Sequence, residues 1–252
     1  LGEKNLDFWR ELSKEENFIQ KNILIPGFTR ECYTLIERES GRVTELVVEE
    51  PKIQDENQKT KTKELLSLLK CELSRKSQSK PEALLVAGSV PSYWDSNIME
   101  EIARIARKND VLLMVDFKGK TLLNLLPDFT PNIIKINKEE FLETFYPEIF
   151  EQDAPKCDTI KLQELICHQS KILGNIIIVT DGANDTILSN EGKCYIGKTE
   201  KVSVKNTIGC GDSFNAGFLY EFLKSKNLEK ALEMGTFAAS RNAESLAPGS
   251  IF

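Results

Sequence analysis

Strands that alternate with helices along most of the chain predict an α/β protein. Its sheet is mainly parallel and covered on both faces, with a small β-sheet attached near the start. Three observations carry this. Short apolar runs ending in glycine or polar residues recur from residue 82 onward, as buried parallel strands do. Stretches at helical spacing separate them. The segment 28–50 departs from the pattern, with β-branched residues in partial alternation on either side of Ser40-Gly41, which predicts a hairpin turning there.

The elements follow in order. Within 57–76, Leu65, Leu66, Leu68, Leu69 and Leu73 recur near helical spacing, beside lysines expected on a solvated face. "EALLVAG" (82–88) reads as a buried strand. "NIMEEIARIARKN" (97–109) places Ile98, Ile102, Ile105 and Ala106 on one helical face. "VLLMVD" (111–116) and "NIIKIN" (132–137) are strands, and "KEEFLETF" (138–145) starts a helix. "QELICHQSKIL" (163–173) is helical, "NIIIVTDG" (175–182) a strand, and "DTILSNEGKCYIGK" (185–198) a hairpin turning at Glu191-Gly192. From Asp212 to about Ala243 the pattern gives two helices joined near "KSKNLEK".

Composition limits the functions open to the chain. Its 252 residues suffice for one large domain or two modest ones. With 40% apolar and 29% charged residues the balance is that of a soluble protein, and a net charge of −6 gives no support to nucleic-acid binding. No apolar run approaches the ~18 residues of a membrane span, and no signal peptide opens the sequence. Six scattered cysteines form no C-x-x-C pair, which fits reduced thiols in the cytoplasm rather than a zinc site. The only histidine, His168, reads as a surface residue of a helix. The chain opens on Leu1, so it is either processed or lacks its original start.

The chemistry concentrates in "NTIGCGDSFNAGF" (206–218). The backbone N–H groups of Gly209, Cys210 and Gly211, with the positive end of the following helix, suit an anion. Asp212 could take a proton from a hydroxyl while the loop stabilises a transferring phosphoryl group. It could equally cap the helix, and local sequence leaves the two open. The Walker pattern is absent, and the glycines come too late for a dinucleotide fingerprint. Ligands of parallel α/β folds gather beyond the carboxyl ends of the strands. Gly88-Ser89, Asp116, Asn137 with Glu140, and Thr180-Asp181-Gly182 stand at those ends and are expected to converge with the loop.

This stretch resembles the C-terminal signature of the PfkB family of carbohydrate kinases, within the ribokinase-like superfamily, approximately D-T-x-G-A-G-D-x-F-x-x-G. Thr207, Gly209, Gly211, Asp212, Phe214 and Gly217 match; Asn206 and Cys210 stand where aspartate and alanine are usual. "AGSVP" (87–91) resembles the family's G-S-x-P strand end, and "IKINKEE" (134–140) its K-P-N-x-x-E segment. "VTDGAND" (179–185) resembles its T-x-G-x-x-G turn, with Asp185 in place of the last glycine, and "AAS…APGS" (238–250) its closing helix and turn. Together these cover about residues 23–252.

The resemblance implies a three-layer α/β/α sandwich over 1–21 and 52–252, with a β lid over 22–51. It implies an ATP-dependent kinase acting on a hydroxyl of a sugar or sugar phosphate. Asp212 would be the base and residues 209–211 the anion hole. Lys135, Thr180, Gly182, Asn206, Thr207 and Asn242 would meet the nucleotide. Asn137 and Glu140 would organise Mg²⁺ through waters, although an N-cap and a solvated helix charge explain the same two residues. Ser89 and Arg30 would meet the substrate. Region 28–50 looks most like the phosphofructokinase and tagatose-6-phosphate kinase branch, where the arginine at this position holds the phosphate of the sugar; an arginine paired on the lid surface is the competing reading. Tyr33, Leu35, Val43, Leu46 and Val48 give the lid apolar surface, which with the resemblance implies a homodimer paired through the lid. The family's first strand, with its sugar-binding aspartate, is not in the sequence, and "LGEKN" resembles only the end of the glycine segment that follows it. Asp212 and Glu140 favour an active kinase of the phosphofructokinase or ribokinase and nucleoside-kinase type. Asn206, Asp185 and the missing strand favour a weak, ligand-binding relative.

Overall fold

A computed structural model describes the chain apart from residues 15, 17, 38–41, 50–54, 76–79, 92–93, 154–156 and 251–252. The turn expected at Ser40-Gly41 lies outside the described residues. The chain forms two compact units, residues 1–72 with 90–102 and residues 73–89 with 103–252.

The larger unit is built on six strands in the order β3 (Ala83–Ala87), β4 (Leu112–Asp116), β5 (Ile133–Asn137), β6 (Ile176–Thr180), β7 (Thr186–Asn190) and β8 (Lys193–Gly197). β3 to β6 pair in parallel; β6, β7 and β8 form an antiparallel meander. β3 to β6 were legible as apolar runs, and β7 and β8 as the arms of a hairpin. The hairpin turns at Glu191 (φ 50°) and Gly192 (φ 89°), two successive positive φ values that match strand twist.

Strand alternation assigns the faces. Met114, Ile133, Ile178 and Leu188 form one core with Phe214, Phe218, Ala231 and Leu232, from helices α8 (Cys210–Ser225) and α9 (Leu228–Ala243). Ile134, Ile136, Ile177, Val179 and Ile187 point to the opposite face and are at most 1% exposed. There α7 (Thr159–Leu173) packs on β6 and β7, and Ser170 Oγ donates to Ser189 O at 3.1 Å. Asp158 caps α7, accepting from Lys161 N at 2.8 Å, so the helix begins four residues before the stretch the periodicity picked out. The joint between α8 and α9 is Lys226 in the left-handed region, followed by Asn227 as N-cap of α9. α4 (Gly119–Leu125), α5 (Lys138–Phe145) and α6 (Pro147–Asp153) complete the unit; α4 and α6 are seven residues each, about two turns, too short for periodicity to resolve.

The smaller unit contains a 3₁₀ turn (Glu3–Asn5), α1 (Leu6–Leu12), and the hairpin strands β1 (Cys32–Ile36) and β2 (Val43–Val47). It also holds most of α2 (Asp55–Leu73) and the start of α3 (Ile98–Lys108), whose expected inward residues Ile98, Ile102, Ile105 and Ala106 are all buried. The "LGEKN" segment is stitched onto the residues leading into β1. Gly2 bridges Ile25, Gly2 N donates to Thr29 Oγ1 at 2.8 Å, and Asn5 Oδ1 accepts from Thr29 N at 2.9 Å. β1 and β2 are antiparallel with Tyr33 opposite Leu46 and Leu35 opposite Thr44. That register puts Tyr33, Leu35 and Leu46 on one face, each more than half exposed; Val48, one residue past β2 in the same alternation, is 50% exposed.

Candidate active site

The face assignment brings the polar strand ends together. Two residues beyond Met114, Ile133 and Ile178 on the same face stand Asp116, Lys135 and Thr180, with Asn137 next on β5 and paired in register with Thr180. These ends lie on the face that α8 covers; Lys135 meets the first turn of that helix and Asp116 meets Asn215 in the next.

α8 starts at Cys210, two residues earlier than the sequence pattern suggested. Gly209 is its N-cap with φ 75°, a left-handed turn, and a Cβ there would stand 3.1 Å from Pro248 Cβ. Cys210 N–H closes the turn on Thr207 O at 3.3 Å. The N–H groups of Gly211 and Asp212 belong to the first turn, which has no intrahelical acceptor for them. Asp212 is exposed, and no cap bond or ion pair engages its carboxylate among the described residues. The cap alternative raised by the sequence is therefore not what the side chain does here.

Lys135 is 5% exposed, an expensive place for a charge unless it is paired. Its Nζ donates to Asp116 Oδ2 at 2.9 Å, and Asn215 Nδ2 donates to the same oxygen at 2.6 Å. A Cβ on Gly211 would stand 2.8 Å from Lys135 Nζ, so the ammonium rests against the first turn of α8 and the bare glycine makes room for it. An ammonium, backbone N–H groups and a helix N-terminus together form a site for a phosphate.

Two expected nucleotide residues serve the loop instead of facing outward. Buried Asn206 accepts from Ile208 N at 3.0 Å and donates to Leu246 O at 3.0 Å. Buried Asn242 donates to Ile208 O at 2.7 Å and to Cys210 Sγ at 3.3 Å, and accepts from Gly249 N at 2.8 Å. Both hold the glycine turn against the closing turn of the chain. Thr207 is exposed beside them. Asn137 and Glu140 form a capping box on α5: Asn137 Oδ1 accepts from Glu140 N at 2.9 Å, and Glu140 Oε2 accepts from Asn137 N at 3.0 Å. Their other oxygen lone pairs are not used by the box. Among the described residues no group of three or more His, Cys, Asp or Glu side chains gathers to hold a metal.

At the end of β6, Asn184 N donates to Asp181 O at 2.8 Å and closes a turn containing Gly182, φ 55°. Asp185 accepts from the Lys198 ammonium and from Thr199 N; the Lys198 contact holds its carboxyl below the ordinary value. Ser89 is exposed just past β3, where Gly88 N donates to Asp116 O at 3.2 Å. Arg30 belongs to the smaller unit, exposed two residues before β1.

Sequence reasoning named Asp116 only as a strand end and missed Asn215. The signal was present: Asn215 lies one turn after Gly211, a lone amide on the inward face that carries Phe214 and Phe218.

A glycine-turned helix N-terminus, a buried ammonium beside it and a free carboxylate in its first turn define a phosphoryl-transfer class of site. The profile of the pfkB family of carbohydrate kinases matches residues 2–250, and the chain belongs to that family. It is 26% identical over 245 residues to a 1-phosphofructokinase of Bacillus subtilis, covering 96% of this chain and 72% of that protein. It is 30% identical over 204 residues to a 1-phosphofructokinase of Borreliella burgdorferi, covering 81% and 61%. A tagatose-6-phosphate kinase of Staphylococcus epidermidis is 24% identical, covering 87% and 66%. The chain thus spans roughly two thirds of the length of these relatives. The fold is that of phosphofructokinase-2 from Escherichia coli in complex with potassium (TM-score 0.76, 17% identity, 98% of this chain and 74% of that one). It is also that of ribokinase from Thermotoga maritima (TM-score 0.66, 16% identity, 100% and 75%). No helix among the described residues is long and apolar enough to cross a membrane.

Proposed function

We propose that the chain transfers the γ-phosphoryl group of ATP to a hydroxyl of a sugar phosphate. The observation that carries this is the exposed Asp212 carboxylate in the first turn of α8, unpaired among the described residues, on the turn against which the Lys135 ammonium rests. Asp212 accepts the proton of the attacking hydroxyl. As the hydroxyl oxygen bonds to the γ-phosphorus, the bond to the β,γ-bridging oxygen breaks and ADP leaves with that oxygen. The equatorial oxygens gather charge, which the N–H groups of Gly209, Gly211 and Asp212 and the Lys135 ammonium stabilise from fixed positions, the Cys210 N–H being taken by Thr207 O. Thr180 and Gly182 border the nucleotide, while Asn206, Thr207 and Asn242 keep the turn in shape for it.

A single carboxylate with unused lone pairs suits Mg²⁺, which binds nucleotide sites through one or two carboxylates, waters and the phosphates. Glu140 and Asn137 would hold it through water, and it would neutralise phosphate charge. Arg30 reads as the anchor of the substrate's own phosphate, since a guanidinium fits a phosphate fork to fork, and Ser89 as a hydroxyl contact. The exposed face of Tyr33, Leu35, Leu46 and Val48 fits closure by the same face of a second copy, giving a homodimer. A consumer of ATP and sugar phosphates works in the cytoplasm, and that location belongs to the proposal. The test is coupled ADP release with fructose 1-phosphate, fructose 6-phosphate, tagatose 6-phosphate, ribose and adenosine as acceptors. Turnover highest with a sugar phosphate is expected; a preference for ribose or adenosine would move the chain to the other branch, and turnover with none would leave a binding protein.

A further inference from the structure

We propose that Asn215 is a positioning residue that holds the Asp116–Lys135 pair against the first turn of α8. The inference deepens the kinase reading and rests on it for its kinetic arm.

Asn215 is fully buried on the sheet face of α8, between Phe214 and Phe218. Its Nδ2 donates to Asp116 Oδ2 at 2.6 Å, while its own Oδ1 is buried without a partner among the described residues. Turning the amide over would set oxygen against carboxylate oxygen, so Asp116 dictates its orientation. A buried carbonyl without a donor is unfavourable, and leucine, of the same branched shape, would leave no orphan atom. An amide kept in an aromatic core at that cost is kept for its donor half. Functional sites are where a chain tolerates such a local penalty.

The donor half acts through two bonds. The same Asp116 oxygen accepts Lys135 Nζ at 2.9 Å. Lysine is a point charge on a flexible stem, and an anchored carboxylate is what gives it one position. With Asp116 held by Asn215, the ammonium waits beside Gly211 before a phosphate arrives and needs no reorganisation during transfer. Asn215 itself touches no reactant.

The test is Asn215→Leu in the 252-residue chain, with Asn215→Ala as a second variant that also removes the donor and adds no charge beside Asp116. The leucine variant is expected to melt within a few degrees of the wild type, because removal of the orphan carbonyl offsets part of the lost bond to Asp116. Its kcat is expected to fall roughly ten- to a hundred-fold, with the KM of the acceptor nearly unchanged. Asn215→Ala should lose turnover similarly. A readout independent of turnover is the ¹H–¹⁵N signal of the Lys135 ammonium, assigned by its loss in Lys135→Met. It should be sharp in the wild type and broadened in Asn215→Leu. A leucine variant with wild-type kcat and an unchanged ammonium signal overturns the proposal. So does a drop in melting temperature with kcat, KM and the signal intact, which would make Asn215 a packing residue only. If the wild type transfers no phosphoryl group but the signal still broadens on substitution, the kinase reading fails and the positioning role stands.

Discussion

Gly211→Ala adds one methyl group where the Lys135 ammonium meets α8. The new Cβ would stand 2.8 Å from Nζ. Unstrained carbon contacts lie at about 3.5 Å or more, so the ammonium must retreat by roughly 0.7 Å. It has little room, because the Lys135 side chain is only 6% exposed and is tied to Asp116 at 2.9 Å. A misplacement of about 1 Å costs a well-arranged site about a hundred-fold, so a ten- to hundred-fold fall in kcat is expected, written as roughly 10–10². Stability should move much less. Alanine gains about 0.5–1 kcal/mol over glycine in a helix, and the stretched charged hydrogen bond loses about 1.5–3 kcal/mol at most. The net, roughly 1–2 kcal/mol, lowers the melting temperature by a few degrees, at about 2–4 °C per kcal/mol for a chain of this size. The assay is ADP release at saturating ATP beside thermal unfolding followed by circular dichroism. Turnover within about twofold of wild type would refute the coupling of Lys135 to the cradle.

Arg30→Ala should raise the KM for a sugar phosphate roughly ten- to a hundred-fold, the value of about 1.5–3 kcal/mol for a lost charge-assisted contact, and leave the KM for an unphosphorylated sugar nearly unchanged; equal effects on both would return Arg30 to the lid surface. Leu46→Asp with Val48→Asp should convert a particle of twice the 28.5 kDa chain mass into a monomer on sedimentation, with sugar affinity lost before ATP affinity; a wild-type monomer at micromolar concentration would end the interface idea.

The parallel strands of the larger unit were legible because each is a short, mainly apolar run with a polar or glycine end, such as "NIIKIN" and "NIIIVT". The hairpin at Glu191-Gly192 was legible because its glycine sits where a positive φ is needed. α4 escaped because "GKTLLNL" is shorter than two heptads and carries no cap signal. The glycine turn, Asp212 and Lys135 stood out as residue types in sequence. Their coupling did not, because Asp116, Lys135 and Asn215 come from three elements, the last 99 residues from the first, and only register brings them to one oxygen. Asn206 and Asn242 show the converse. Both were named as ligand contacts from motif position, yet their hydrogen bonds go to loop backbone, a fact that depends on the closing turn around Gly249.

The role of Asp212 is the claim on which the rest depends, and Asp212→Asn tests it most directly. The amide keeps the size of the side chain, and no bond of the described structure is lost with the charge. The measurement is kcat by ADP release with the best sugar-phosphate acceptor, alongside ATP affinity by calorimetry. Loss of a positioned base should lower kcat by roughly 10²–10⁴ while ATP binds as before. Turnover within a few-fold of wild type, with ATP affinity unchanged, would contradict the account.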